Sequence, residues 1–425
     1  MKVAIIGTGI AGNVAAYRLS REHDVTVFEA ADRIGGHTNT VNVTSAGREY
    51  AVDTGFIVYN DRTYPNFVAL LDELDVASDT SDMSFSVQNE STGLEYNGTS
   101  LNALFSQRSN LFRPGFHRMI RDILRFNRDA RRVLEPDIQD VTLDQFLSEQ
   151  RYSREFVDNY IIPMGSAIWS AAPVEMRQMS AAFFVRFFDN HGFLSIDDRP
   201  TWRVIRGGSR NYVDKLVAGH RNRIHLNAPV ETVRRLPTHV EIKARGAEAL
   251  RFDHVFIACH SDQALALLSD PSPLEREVLG SIGYQGNEAV LHTDERLMPK
   301  RKRAWAAWNY HIAEGNSARA AVTYNMNILQ GLKAPVQFCV TLNNTESIDP
   351  SRILRKIQYL HPIFTRTATA VQRRHAWING AQRTYFCGAY WRYGFHEDGV
   401  ISAINALDHF EHRTVHEECD IRRAS

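Results

Sequence analysis

Three glycines near the start of the chain constrain its fold more than any other feature. Gly7, Gly9 and Gly12 form GxGxxG, directly after the apolar run KVAII at 2–6 and directly before AGNVAAYRLSREH, whose apolar residues recur at helical spacing. A second run, DVTVFEA, closes the unit and brings Glu29 about 20 residues past the loop. Strand, glycine loop, helix, strand and acid, in that order, predict a βαβ unit that binds a dinucleotide. Gly7 admits the tight turn. Gly9 lacks a Cβ, so a pyrophosphate can approach the backbone, and Gly12 lets the helix pack closely on the strand. Ile10 and Ala11 open the helix, whose free N–H groups and partial positive charge face the phosphates. Glu29, followed by Ala30, is placed to accept hydrogen bonds from the adenosine ribose.

The chain has 425 residues, 44% of them hydrophobic, which is enough for more than one core. Lysine and arginine total 49, and aspartate and glutamate also total 49. A net charge of zero removes global attraction to nucleic acid, and no aromatic-interleaved basic motif restores it locally. No apolar run approaches the roughly 18 residues that span a bilayer. Cys259, Cys339, Cys387 and Cys419 lie far apart without metal-type spacing, which predicts reduced thiols in a cytosolic protein and no metal site. The strand that starts at Lys2 leaves no room for a secretory leader, so a cytoplasmic location is expected.

Between Met83 and Pro200 the text turns helical, arginine-rich and aromatic. A helix is expected at SRNYVDKL, and strand-like text returns over 224–260 as IHLNAPVETVRRL, VEIKAR and HVFIACH. Residues 285–345 alternate as strands do, and the chain closes with a strand, RTYFCGAY, and a helix, GVISAINALDHFEHR. This pattern predicts two interleaved domains. Residues 1–82, 201–265 and 376–425 build the nucleotide domain, and 83–200 and 266–375 the substrate domain.

After Glu29 the chain continues AADRIGGHTNT, with Arg33, Gly35 and Gly36. An acid followed by a basic residue and a double glycine resembles the extended motif of the flavin-containing amine oxidase and phytoene desaturase superfamily. The resemblance implies FAD. It also implies an α/β fold: a Rossmann-like, glutathione-reductase-like FAD domain with an interleaved α+β substrate domain. His37, before Thr38, stands where the family usually has arginine. VDTGFIVYN sets Asp53, Gly55 and Phe56 where the family has an acid and a glycine near the flavin. RVIRGGSRNYVDKL keeps Gly207 and Gly208 of the family's proline-glycine-glycine segment. Val230 in NAPVETV falls where the family's backbone brackets the adenine, and Ala258 lies in the returning strand HVFIACH. YFCGAYWRYGFHEDGVISAINAL resembles the C-terminal FAD motif, with Gly388 and then Ala389 in place of the usual acid or threonine. A helix beginning near Glu397, with Asp398, Gly399 and Val400, would aim its amides at the flavin pyrimidine ring.

Amine oxidases of this superfamily place a lysine beside the flavin N5. The matching text here, NEAVLHTDERLMP, carries His292 and has no lysine before Lys300. His292 and His396 are candidate bases; a histidine in a strand can equally be a satisfied structural residue. Trp202, Trp305, Trp308, Tyr390 and Trp391 are candidate walls for an apolar substrate, or ordinary core. Arg118, Arg121, Arg125, Arg128 and Arg132 recur at spacings of three and four, with Phe116, Ile120, Ile123, Ala130 and Leu134 on another face. Such a helix lies on an anionic membrane surface, or packs its apolar side inward and leaves its arginines in water.

AVLHTD, WAAWNY and GAYWRYGFHEDGV are similar to a bacterial branch of FAD-dependent oxidoreductases associated with cyclopropane-fatty-acid-synthase-type methyltransferases. That branch includes desaturases of methylated phospholipid acyl chains, on the way to furan fatty acids. The resemblance implies an acyl desaturase that passes a hydride to the flavin N5 while a base takes a proton. It also implies a lipid or other apolar substrate, a lipid methyltransferase as partner, and a peripheral place on the inner face of the membrane. Amine oxidation, carotenoid-type desaturation or isomerisation, and a non-catalytic flavin-bound partner of the methyltransferase remain as alternatives.

Overall fold

Residues 2–6 form the central strand of a five-stranded parallel sheet, in the order Ile224–His225, Asp24–Phe28, Lys2–Ile6, His254–Ile257, Thr384–Phe386. Val3 to Ile6 and all of His254–Ile257 are buried, as expected of parallel strands covered on both faces. The computed structural model describes residues 1–135, 137, 139–195, 198–314 and 320–424, with side chains described to residue 412. Cys419 therefore lies outside the described side chains; Cys259, Cys339 and Cys387 are free thiols. The first helix, Ile10–Leu19, packs against the long C-terminal helix, His396–Ala424. A Cβ on Gly399 would lie 2.5 Å from Ile10 Cγ2, so this glycine sets how closely the two helices approach.

The second large element is a seven-stranded sheet, in the order Ile353–Ile363, Gly283–His292, Cys339–Leu342, Ala321–Asn325, Trp308–Ile312, Phe85–Asn89, Leu94–Asn97. Its pairs are antiparallel except Trp308–Ile312 with Phe85–Asn89. The largest core joins this sheet to the helices between 114 and 190, through Phe116, Phe126, Phe156, Phe184 and Phe188.

The arginine-rich segment is a helix, Pro114–Asp129, which buries Phe116, Met119, Asp122 and Phe126. Ile120 and Ile123 are half-buried against the same core. The helix ends at Asp129, and Ala130, Arg132 and Leu134 continue in a separate tight turn, Ala130–Leu134. Three of the four spaced arginines on the helix meet carboxylates: Arg118 meets Glu155 at 2.5 Å, Arg125 meets Asp122 at 3.2 Å and Arg128 meets Asp129 at 2.8 Å; Arg132 of the turn lies 4.0 Å from Asp129. Among the described residues no helix is long and apolar enough to cross a membrane.

Candidate active site

The glycine loop is pinned on every side but one. Gly7 sits at φ 101°, and a Cβ there would lie 3.0 Å from the Ala258 carbonyl oxygen. A Cβ on Gly12 would lie 2.0 Å from the Gly7 oxygen, and one on Gly36 2.9 Å from Gly9 Cα. A Cβ on Gly9 would meet nothing within 4 Å. The open side of the loop is thus at Gly9, where the first amides of the helix are free for a phosphate. Glu29 ends its strand beside this opening. Its carboxylate accepts from the Thr8 N–H at 2.8 Å, the Thr8 hydroxyl, and the Ala31 N–H at 2.8 Å.

These residues line one end of a cavity of about 740 Å³, within the range of ligand sites. Ile10, Ala11, Ala30, Val230 and Ala258 line that end too; Gly36, His37, Gly55, Phe56, Gly388 and Ala389 line the same cavity. Its other wall is aromatic: Trp169, Trp308, Tyr324, Phe364, Tyr393 and Phe395. Glu29 is the one carboxylate on the lining among the described residues, and the lining holds no lysine, arginine or aspartate.

Several expected cofactor residues stand behind the wall instead. Arg33 donates to the carbonyls of Thr38 at 3.0 Å and Gly36 at 2.7 Å, clamping the turn at Gly35 (φ 122°). Asp53 is fully buried and accepts from Thr40 at 2.6 Å, from the Ser209 N–H at 2.9 Å and from Gln330 at 2.9 Å. Burial pushes its carboxyl up to about 6. Thr38 holds His396 Nε2 at 3.1 Å, together with the Tyr212 hydroxyl at 2.9 Å. His396 lines the cavity, stacked on Phe56 with ring centroids 3.4 Å apart, and burial holds it well below its ordinary value.

The first turn of the C-terminal helix is also structural support. Glu397 caps the helix Pro65–Glu73, accepting from the N–H groups of Asn66 at 3.1 Å and Phe67 at 2.9 Å. Asp398 accepts from the N–H groups of Tyr393 at 3.2 Å and Phe395 at 2.9 Å, which shapes the aromatic wall. Burial raises the Asp398 carboxyl to about 7. Val400 is core.

His292 lies off the lining, at 0% exposure. Its Nδ1 accepts from the Asp294 N–H at 3.0 Å, so its Nε2 donates to Thr341 Oγ1 at 2.7 Å. Of the expected aromatic walls, Trp308 and Tyr390 reach the cavity. Trp202 lines a separate cavity of about 280 Å³ with His191. Trp305 donates to the Pro299 carbonyl at 2.8 Å, and Trp391 stacks on His375 at 4.2 Å.

The sequence carried no sign of a histidine cluster, yet His37, His260 and His361 converge on the lining. The His37 ring lies 5.2 Å from His361 and 6.2 Å from His260. Burial pushes His37 and His260 down to about 4 and His361 to about 3, so all three are neutral at pH 7. Asn287 Nδ2 donates to His361 Nδ1 at 2.8 Å. His37 Nε2 and His260 Nδ1 are buried without a partner. The open face of Gly9 and the Glu29 carboxylate fit a polar, two-phosphate cofactor lying along the cavity.

Comparison with known proteins agrees with this geometry. Residues 10–336 match the family described as flavin containing amine oxidoreductase. AofH of Mycobacterium tuberculosis, by name a flavin-containing monoamine oxidase, is 28% identical over 284 residues, 65% of this chain. The match spans 60% of that protein's length. Putrescine oxidase bound to putrescine superposes with a TM-score of 0.67 at 16% identity, covering 96% of this chain and 99% of that one. A fatty acid isomerase from P. acnes that produces CLA superposes with a TM-score of 0.66 at 14% identity, covering 96% and 98%. At such identities it is the fold that is shared.

Proposed function

The chain belongs to the flavin containing amine oxidoreductase family, and from that premise we propose that it is an FAD-dependent oxidoreductase that desaturates an apolar acyl chain. The observation that carries this reading is the absence of any charged side chain on the aromatic half of the cavity among the described residues. An ammonium substrate brought there would be buried without a counter-ion, at a cost of several kcal/mol. Cation–π contacts return only about 0.5–2 kcal/mol each. An alkyl chain meets no such penalty and gains roughly 0.8 kcal/mol per buried CH₂.

FAD supplies the two-electron acceptor when bound. The chain's own residues hold and dry the site. The Gly9 opening and the helix amides receive the phosphates, Glu29 meets the ribose, and Trp308, Tyr324 and Phe364 exclude water from the reacting carbon. The proton released must go to a neutral imidazole, because that wall offers neither carboxylate nor amine. His37 and His260, each with an unpartnered ring nitrogen, are better placed to take it than His292, whose two nitrogens are engaged. The resemblance carried by AVLHTD, WAAWNY and GAYWRYGFHEDGV favours methylated chains of membrane phospholipids as the acyl class. A lipid methyltransferase would then supply the substrate.

Amine oxidation is the second reading, favoured by the likeness to AofH and by the aromatic faces of Trp308 and Tyr324. One experiment separates the two. Under anaerobic conditions the FAD-loaded protein is mixed with methylated phospholipid, with putrescine or with cyclohexylamine, and loss of the oxidised-flavin absorbance is followed. The acyl reading expects bleaching by the lipid alone and a product lighter by two hydrogens. Bleaching by an amine and not by lipid would overturn it.

A further inference from the structure

A cluster of exposed apolar side chains lies outside the cavity, just before the arginine-rich helix. Leu101, Leu111 and Phe112 are 77%, 46% and 86% exposed there. Arg108 ties the turn Arg108–Phe112 to the helix Leu101–Leu104 through Asn102 Oδ1 at 2.7 Å and the Phe105 carbonyl at 3.1 Å. The turn Lys302–Ala304 packs against the same short helix. The two segments therefore form one knob.

Arg108 and Arg113 begin and follow the exposed turn, and Lys302 and Arg303 lie in the turn packed on Leu101–Leu104. None of these four has a carboxylate within ion-pair distance among the described residues. The neighbouring cations Arg118, Arg125 and Arg301 do, at Glu155, Asp122 and Glu95. On a chain with 49 acidic and 49 basic residues, four uncompensated cations in one region are a local departure. Lys302 lies over the Trp305 ring at 5.3 Å, which keeps an aromatic plane within the basic patch.

We propose that this knob docks on an anionic lipid surface, with Leu101, Leu111 and Phe112 entering the acyl boundary and Arg108, Arg113, Lys302 and Arg303 facing lipid phosphates. The chemistry favours lipid over other polyanions. Protruding leucine and phenylalanine side chains gain free energy in a bilayer interface, and nucleic acid phosphates give them nothing. Cations near an anionic leaflet add attraction that falls within a Debye length. The docking surface is not the helix face carrying Arg118, Arg125 and Arg128, whose charges are met by Glu155, Asp122 and Asp129. This inference stands apart from the acyl reading, because vesicle binding needs no turnover.

The test is flotation of the FAD-loaded, full-length protein with vesicles of phosphatidylcholine, alone or mixed with phosphatidylglycerol. The protein should float with the anionic vesicles and stay behind with the neutral ones, and added salt should weaken the association. Leu101→Ser/Phe112→Ser and Lys302→Glu/Arg303→Glu should each weaken binding at least tenfold. Arg118→Gln should bind as the parent does. Bound flavin and the melting temperature of each variant verify folding. Equal flotation with both vesicle types, no flotation at all, parental binding by both double variants, or preference for duplex DNA over vesicles would each overturn the proposal.

Discussion

Gly9 and Gly12 lie in one loop, yet substitution should break them in different ways. A methyl at Gly12 would sit 2.0 Å from the Gly7 carbonyl oxygen, so the backbone must move. Overpacking of that kind costs about 1–3 kcal/mol. A methyl at Gly9 would touch no protein atom within 4 Å. It would stand in the space that the helix amides leave for a pyrophosphate. At a helix N-cap, alanine for glycine costs only about half a kcal/mol. Gly12→Ala is therefore expected to lower the melting temperature of the cofactor-free protein. Gly9→Ala should melt like the parent and bind FAD at least about tenfold more weakly, roughly 1.4 kcal/mol. Flavin titration and thermal melting of the two apo-proteins check this, and equal FAD affinity in Gly9→Ala and parent would rule out the proposed phosphate position.

At the scale of elements, two residues proposed from sequence as site groups act through the elements they join. His292 links three strands of the large sheet. It holds the Asp294 N–H just past the end of its own strand and Thr341 on the next, and Thr341 Oγ1 lies 2.8 Å from Thr323 Oγ1 on the third. His292→Leu leaves the buried Asp294 N–H without its partner, worth about 1–3 kcal/mol, and removes one of the two partners of the Thr341 hydroxyl. The expected outcome is a lower melting temperature with the turnover of the folded fraction unchanged. A catalytic base would instead show roughly a 10²–10⁴-fold loss of kcat with the fold intact. Glu397 joins the C-terminal helix to the helix Pro65–Glu73 by capping its N-terminus. Glu397→Ala should cost about 1–2 kcal/mol of stability. Flavin content should be unchanged, as judged by absorbance ratio. A loss of FAD affinity without a loss of stability would show that the carboxylate faces the cofactor after all.

Across the whole molecule, what could be read in the sequence was local. The loop Gly7–Gly12 was legible because Gly7 needs a positive φ, Gly12 a close approach to Gly7 and Gly9 an open face, and Glu29 because a strand of known length carries it there. The histidine cluster was not legible. His361 reaches the cavity only because Ile353–Ile363 pairs with Gly283–His292, with His361 opposite Gln285. His260 reaches it from a turn more than a hundred residues away, and no periodicity records such a meeting. The same holds for Tyr324 and Phe364 against Trp169.

That cluster belongs to a larger set with one consequence for the entire chain. Burial pushes His37, His191, His260, His292 and His375 down to about 4, and His361 to about 3, from an ordinary value of 6.5. Between those values and 6.5 the unfolded chain binds more protons than the folded one. Their stabilisation is thus fully present above 6.5 and is lost as the pH falls through that window. Asp53 and Asp398 act in the opposite sense. Raised from 3.8 to about 6 and about 7, they favour the folded state at low pH, and that contribution is lost as the pH rises through their folded values. His396 is lowered in the same sense, so the histidines outnumber the two aspartates and set the direction. Each contributes up to about 3 kcal/mol, and a few of them match the roughly 5–15 kcal/mol that hold a domain folded. The melting temperature is expected to be highest near neutrality and to fall by on the order of 10 °C or more as the pH drops below 6. Circular dichroism melts taken from pH 8 down to pH 4 measure it, and a melting temperature that stays level to the acid end would mean that these imidazoles are already charged in the folded protein.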